Sequence, residues 1–229
     1  MKTSYFLAFL CSSLLFLSSC SDDENGDNIV DPPEDGASYS VSFDFDWNST
    51  DFPTDYPSGP HFSPLVGWVH VVDHVFFKEN TIASSGIEQM AETGATSVLL
   101  SEMKSFIADG KGLSTYLAGG HNGGVGSIKT QIVVSKAFSA VTLATMLAPS
   151  PDWYVAGVNV NLMGDEGTFV DKKIIVGYVY DAGSDSGTTF TSTNSNTNPK
   201  IPIAKITTPP LGDGEKVNPS LCTITFTKI

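Results

Sequence analysis

Tyr39-Ser40-Val41-Ser42-Phe43-Asp44-Phe45-Asp46-Trp47 alternates apolar and polar residues with a period of two. No other feature restricts the fold as much. Successive side chains of a strand point to opposite faces, so this run is a half-buried strand whose apolar face needs a second layer to cover it. Further short runs follow at 65–77 (read as strand, broken near Asp73), 129–134, 141–146, 153–162, 172–180, 203–206 and 221–227. Gly, Pro and Asp punctuate them, and this pattern of short strands and turns indicates a mainly β protein, a β-sandwich. A small helical insertion is expected over about 84–108. Ser85-Gly86-Ile87-Glu88 reads as a capping box, with Ile87, Met90 and Ala91 on one face and Gly94 as the stop. Leu99, Leu100, Met103, Phe106 and Ile107 then recur at helical spacing. The glycine-rich stretch 110–126 is expected to be an irregular loop, and 188–198 a Thr/Ser/Asn loop.

Apolar residues make up 41% of the 229 and charged residues 16%, which excludes global disorder. All 12 basic residues are lysine, and the net charge is −13. An acidic chain with no guanidinium fork is a poor partner for nucleic acid and for bidentate phosphate recognition.

Lys2 is followed by an apolar stretch at 5–17, then Leu17-Ser18-Ser19-Cys20. The stretch is shorter than the roughly 20 apolar residues a spanning helix needs, and it matches a signal-peptide core. Leu17-Ser18-Ser19-Cys20 resembles the lipobox of bacterial lipoproteins, which implies cleavage before Cys20 and lipidation there. The alternative is an ordinary signal peptide cut near Ser19. Residues 20–36 read as the lipidated cysteine and an acidic tether, since Asp22, Asp23, Glu24, Asp27, Asp31, Glu34 and Asp35 fall there without a basic residue. The acidic run also resembles surface-export signals of some Gram-negative lipoproteins; a solvated spacer explains it as well. The expected organisation is a signal peptide at 1–19, the tether at 20–36 and one folded domain at 37–229. Once Cys11 leaves with the signal and Cys20 is lipidated, Cys222 has no disulfide partner, so the core or a metal must hold the domain. Alternation with Ile224 and Phe226 makes Cys222 a buried small apolar group.

His70 and His74 are spaced to suit zinc on a helix. Their Val- and Phe-rich flanks favour a strand, on which they would stand roughly 13 Å apart and serve as structural histidines. Gly119-Gly120-His121-Asn122-Gly123-Gly124 lacks the ending of a phosphate loop, and no nucleophile elbow is present. Two acidic turns are different: Pro149-Ser150-Pro151-Asp152-Trp153, between two strands, and Asp181-Ala182-Gly183-Ser184-Asp185-Ser186-Gly187, after a strand. A hairpin turning at 164–167 would bring both to one end of the sheet. Calcium takes six to eight oxygens on loops that wrap it; equally, aspartate favours turns by bonding its own backbone. From spacing, both readings stand.

Ala148-Pro149-Ser150-Pro151-Asp152-Trp153 followed by Asp181-Ala182-Gly183-Ser184-Asp185-Ser186-Gly187 resembles the signature pair of the spondin domain family. His61-Phe62-Ser63-Pro64-Leu65-Val66-Gly67, Ala83-Ser84-Ser85-Gly86-Ile87 and Met90-Ala91-Glu92-Thr93-Gly94 resemble it too. The resemblance runs from about Tyr39 to the C-terminus. It implies a C2-like antiparallel β-sandwich with Ca2+ at one end, held by Asp152, Asp181 and Asp185. Animal members carry disulfides this chain lacks and thrombospondin-type repeats absent here. The resulting expectation is a non-enzymatic, calcium-binding adhesion or binding module. It would be lipid-anchored through Cys20 at a bacterial cell envelope, at the outer membrane, and would meet an envelope or extracellular protein or glycan. The competing expectation is a glycan-capture or enzymatic lipoprotein with a pocket near Trp68, His70 and His121.

Overall fold

The structure, a computed structural model, describes residues 32–74 and 77–229. The signal segment, Cys20 and the tether up to residue 31 lie outside the described residues. Among the described residues, twelve strands and two helices run in the order β1 (Gly36–Asp46), β2 (His61–Phe62), β3 (Leu65–His70), α1 (Ser85–Thr93), α2 (Ser97–Ala108), β4 (Gly112–Ala118), β5 (His121–Asn122), β6 (Val125–Ser135), β7 (Ala140–Ala148), β8 (Trp153–Asn161), β9 (Lys172–Val176), β10 (Tyr178–Asp181), β11 (Ala204–Lys205) and β12 (Cys222–Lys228). They form an antiparallel β-sandwich with a small helical insertion. One sheet has the order β6-β1-β12-β9; the other runs β11-β10-β8-β7-β2-β5, with β3 joining β7 to β4.

β1 behaves as its alternation requires. Tyr39, Val41, Phe43, Phe45 and Trp47 are buried, while Asp44 and Asp46 are exposed. From β12, Cys222, Ile224 and Phe226 join them, and Leu143, Leu147 and Val155 close the core from the other sheet. β7 has no alternation because it is covered on both faces: every residue of it is buried. Its second face carries Ala144 and Met146, which pack with Trp68, Ile87, Met90, Leu99 and Met103 under the helices. Helices on one side make the molecule three layers deep.

Several local expectations are corrected. The cap of α1 is Ser84, whose Oγ accepts from Ile87 N at 3.2 Å. Glu88 is therefore one residue out of place for a capping box and pairs with Lys200 instead. The reciprocal carboxylate comes from α2: Glu102 accepts from Ser84 Oγ at 2.7 Å and from Gly86 N at 3.0 Å. The glycine-rich stretch is no loop, since it holds β4 and β5 and starts β6. β4 pairs with β3 over Leu65–His70, and the short β5 pairs with β2. Leu113, Thr115, Tyr116 and Leu117, between the flanking glycines, suit a strand once β3 offers a neighbouring backbone. The strand begun at Leu65 stops at His70, and the chain then turns so that His74 N bonds Val71 O. Finally, the hairpin after β8 splits. β9 pairs with β12 in the opposite sheet, and only β10 returns to β8, with Asp181 opposite Trp153.

Candidate metal centre

That return places the two acidic turns together. Asp152 immediately precedes β8, Asp181 ends β10, and Ala182 N bonds Asp152 O at 3.1 Å. Asp152 is 0% exposed. Its Oδ2 accepts from Ser184 N at 2.7 Å, Asp185 N at 3.0 Å and Ser184 Oγ at 3.2 Å. Its Oδ1 is buried with no partner. Asp181 Oδ1 accepts from Gly183 N at 2.7 Å, an Asx turn. Gly183 is required there: its φ of +74° is one that side chains avoid, and a Cβ would lie 2.1 Å from Ile201 O. Asp185 is committed to its loop, accepting from Gly187 N and from Ser195 N at 2.6 and 2.7 Å.

The segment 188–198 is thus not a free loop. Ser195 donates its N–H to Asp185, and Phe190 plugs the segment into the core against Trp47 and Trp153, at 5.1 and 5.4 Å between ring centres. Sequence reading also misses Glu92, on α1. It is visible there only as part of a resembling string, because nothing in the sequence says that α1 lies over this end of the sheet. Its Oε1 is buried without a partner.

The electrostatics are those of a place short of positive charge. Burial, then the charge of Asp181, pushes the Asp152 carboxyl up to about 6 from 3.8, against the pull of the Asp185 and Ser184 donors. Burial raises Asp181, opposed by the Gly183 N–H, and Asp185 adds to the rise. Burial also raises Glu92; the Ser184 hydroxyl opposes this, while Glu88, Asp152 and Asp185 reinforce it. The ion pairs among the described residues, Lys200–Glu88, Lys205–Glu79 and Lys228–Asp171, involve none of Asp152, Asp181, Asp185 and Glu92. Among the described residues no three His, Cys, Asp or Glu side chains are grouped so as to hold a metal ion as they stand. The orphaned Oδ1 of Asp152 nevertheless fits a hard cation: it is a buried anionic acceptor lacking any donor.

The histidines form a different cluster. His70 is 0% exposed, with Nδ1 2.8 Å from Val71 O and Nε2 2.8 Å from Thr142 Oγ1. Because Val71 O only accepts, Nδ1 carries the proton and Nε2 accepts from the Thr142 hydroxyl, which in turn accepts from Asn159 N at 2.9 Å. Burial lowers His70 to about 4 from 6.5. His70 and His74 both sit against Trp68, at 4.6 and 5.6 Å, because the chain turns after His70 and does not run on as a strand. His121 lies elsewhere, its Nε2 2.9 Å from Val125 O. With Trp68 and His70 fully buried, these residues do not line a common cleft.

The Spondin_N family model matches residues 37–216. The chain is 30% identical to Spondin-2 of Homo sapiens over 205 residues, covering 86% of this chain and 61% of that protein. It is 30% identical to Spondin-2 of Rattus norvegicus, covering 85% and 60%. With Spondin-1 of Bos taurus the identity is 28%, over 82% of this chain and 25% of the relative. The chain therefore spans about three fifths of the first relatives and a quarter of the last. The match takes in β1, both helices and both acidic turns, and it places this chain in the spondin N-terminal domain family.

Proposed function

We propose that this chain is a calcium-binding adhesion or binding module, without enzymatic activity, held by lipid on Cys20 at the outer membrane of a bacterial cell envelope. The partner is an envelope or extracellular protein or glycan. Family membership and the extracellular character of adhesion modules support the general reading; the Leu17-Ser18-Ser19-Cys20 string supports the anchor. Among the described residues no helix is long and apolar enough to cross a membrane.

The observation that carries the calcium reading is the buried, donorless Oδ1 of Asp152. Asp152, Asp181 and Asp185 would hold the ion. Asp185 would use lone pairs left on oxygens that already accept N–H groups, and carbonyl oxygen or water would complete the shell. Bound calcium supplies the positive charge this end of the sandwich lacks. The aspartates in turn keep the 182–187 loop in one conformation.

Capture from envelope extracts tests the reading. The intact protein should retain a partner in millimolar calcium and release it in chelator, and Asp152→Asn should retain little in either. Equal capture with and without calcium would remove the metal from the function. For the anchor, Cys20→Ala should move the protein from the detergent phase to the aqueous phase, and a wild-type mass without acyl groups would overturn it.

A further inference from the structure

β9 ends the four-stranded sheet, with β12 as its neighbour on one side and, among the described residues, no strand on the other. Gly177 N bonds Cys222 O, and Lys228 N bonds Asp171 O, so the odd-numbered residues face β12. The N–H and C=O groups of Lys172, Ile174 and Val176 therefore point to the open side. Ile174, Val176 and Tyr178 are 58%, 46% and 48% exposed. Lys172 charges the start of this edge, whereas Ile174 and Val176 leave its other half apolar, and an uncovered apolar edge is a template for another strand.

Space runs along it. A groove of about 830 Å³ lies between this edge and the end of β8, and a second of about 390 Å³ continues past β10. Val176, Tyr178 and Lys205 line both, so the two form a track suited to an extended chain more than to a compact molecule. The first groove is lined by Lys78, Lys173 and Lys205, with Glu79 as its one carboxylate. Glu79 and Lys205 pair at 3.1 Å and cancel, and Lys173 Nζ donates to the neutral Asn161 O at 2.8 Å, so Lys78 and Lys173 carry the excess positive charge. On a chain of net charge −13, this is a basic track.

We infer that the free edge of β9 is a docking site for an extended, carboxylate-bearing segment of a partner protein, which adds to the sheet as a strand. The backbone groups of Lys172, Ile174 and Val176 supply the ladder. Ile174 and Val176 are covered by the partner's apolar side chains, and the lysines pair with its acids. A second copy of this chain is disfavoured, because pairing β9 with β9 sets two lysine-lined tracks against each other. The inference deepens the binding-module reading but does not need calcium, so its failure leaves the calcium-dependent capture above standing or falling separately.

The probe is a short fluorescent peptide alternating glutamate with valine, titrated into the full-length protein by anisotropy. Binding should be saturable and weaken with salt. It should fall by roughly tenfold or more in Ile174→Pro, which removes an outward N–H that β12 does not use. Lys205→Glu and a peptide N-methylated at alternate residues should lose a similar factor; the latter leaves the protein untouched, should Ile174→Pro fail to fold. No saturable binding overturns the inference, as does equal binding of a lysine-for-glutamate peptide. Displacement by heparin with the same affinity in wild type and Ile174→Pro would mean that charge alone is read, and would also overturn it. So would a dimer seen in sedimentation of the wild type and abolished by Ile174→Pro, which would assign the edge to a second copy.

Discussion

His70 and Asp152 are both ionisable, both fully buried, and both attached to the larger sheet, one ending β3 and the other preceding β8. The fold treats them in opposite ways. Each ring nitrogen of His70 has a partner at 2.8 Å, in a chain that starts at Asn159 N and ends at Val71 O. Asp152 gathers three donors on one oxygen and none on the other. A buried polar group whose bonds all close within the chain is part of the scaffold; one left open on a single atom has capacity for an external donor, a water or a cation. Burial drives both toward their neutral forms, with opposite consequences. The stability tied to His70, lowered from 6.5 to about 4, is whole above pH 6.5 and lost as pH falls through about 4. That tied to Asp152, raised from 3.8 to about 6, is whole below pH 3.8 and lost as pH rises through about 6, unless a cation compensates the charge.

The largest expected effect is that of His70→Ala. It opens a cavity beside Trp68 and strands the Thr142 hydroxyl, at a cost of about 3–4 kcal/mol in denaturant melts. The loss should be the same with calcium or chelator. A loss below about 1 kcal/mol would break the comparison by showing that the histidine is not structural.

Next comes pH. Between 6.5 and 4, wild type should lose about 3 kcal/mol more than His70→Gln, because only the wild type carries the depressed histidine. Parallel stability curves for the two proteins would mean that His70 titrates normally.

Calcium addresses the other member of the pair. At one hundred times its dissociation constant it should add about 2.7 kcal/mol, or roughly 5–10 °C in melting temperature for a domain of this size. Asp152→Asn should show no such rise, while His70→Gln should show all of it. If both variants respond like wild type, Asp152 does not meet the ion.

The smallest effect sharpens the boundary of the site. Glu92→Gln should weaken the calcium response by about 1 kcal/mol, roughly fivefold in affinity, because Glu92 contributes charge from a helix at the rim. A complete loss would promote Glu92 to a ligand.

Much of the fold is legible in the residues alone. The alternation of Tyr39 to Trp47 identifies β1 and its buried face, because a period of two is a local consequence of strand geometry. The apolar runs locate most of the remaining strands, and the spacing of Leu99 and Met103 locates α2 and its buried side. Cys222 is readable as core for the same reason; it is 1% exposed, and burial raises its thiol. The two acidic turns are legible as turns, and the fold brings them to one end of the sheet, where Asp185 N bonds Asp152 and Asp181 stands opposite Trp153.

What tertiary structure alone decided concerns partners distant in sequence. Residues 112–118, inside the glycine-rich stretch 110–126, became β4 against the edge of β3, and β9 left its hairpin to pair with β12 in the opposite sheet. Ser84 received its second cap from Glu102, 18 residues away. Glu92 came to face Asp152 and Asp185 through the packing of α1 on the sheet. Above all, which oxygen of Asp152 would be saturated and which left open depended on where the Ser184 and Asp185 N–H groups landed, 32 and 33 residues on. Periodicity reports which face of an element is buried; it carries no information about which element does the burying, and the chemistry of this site lies in that second choice.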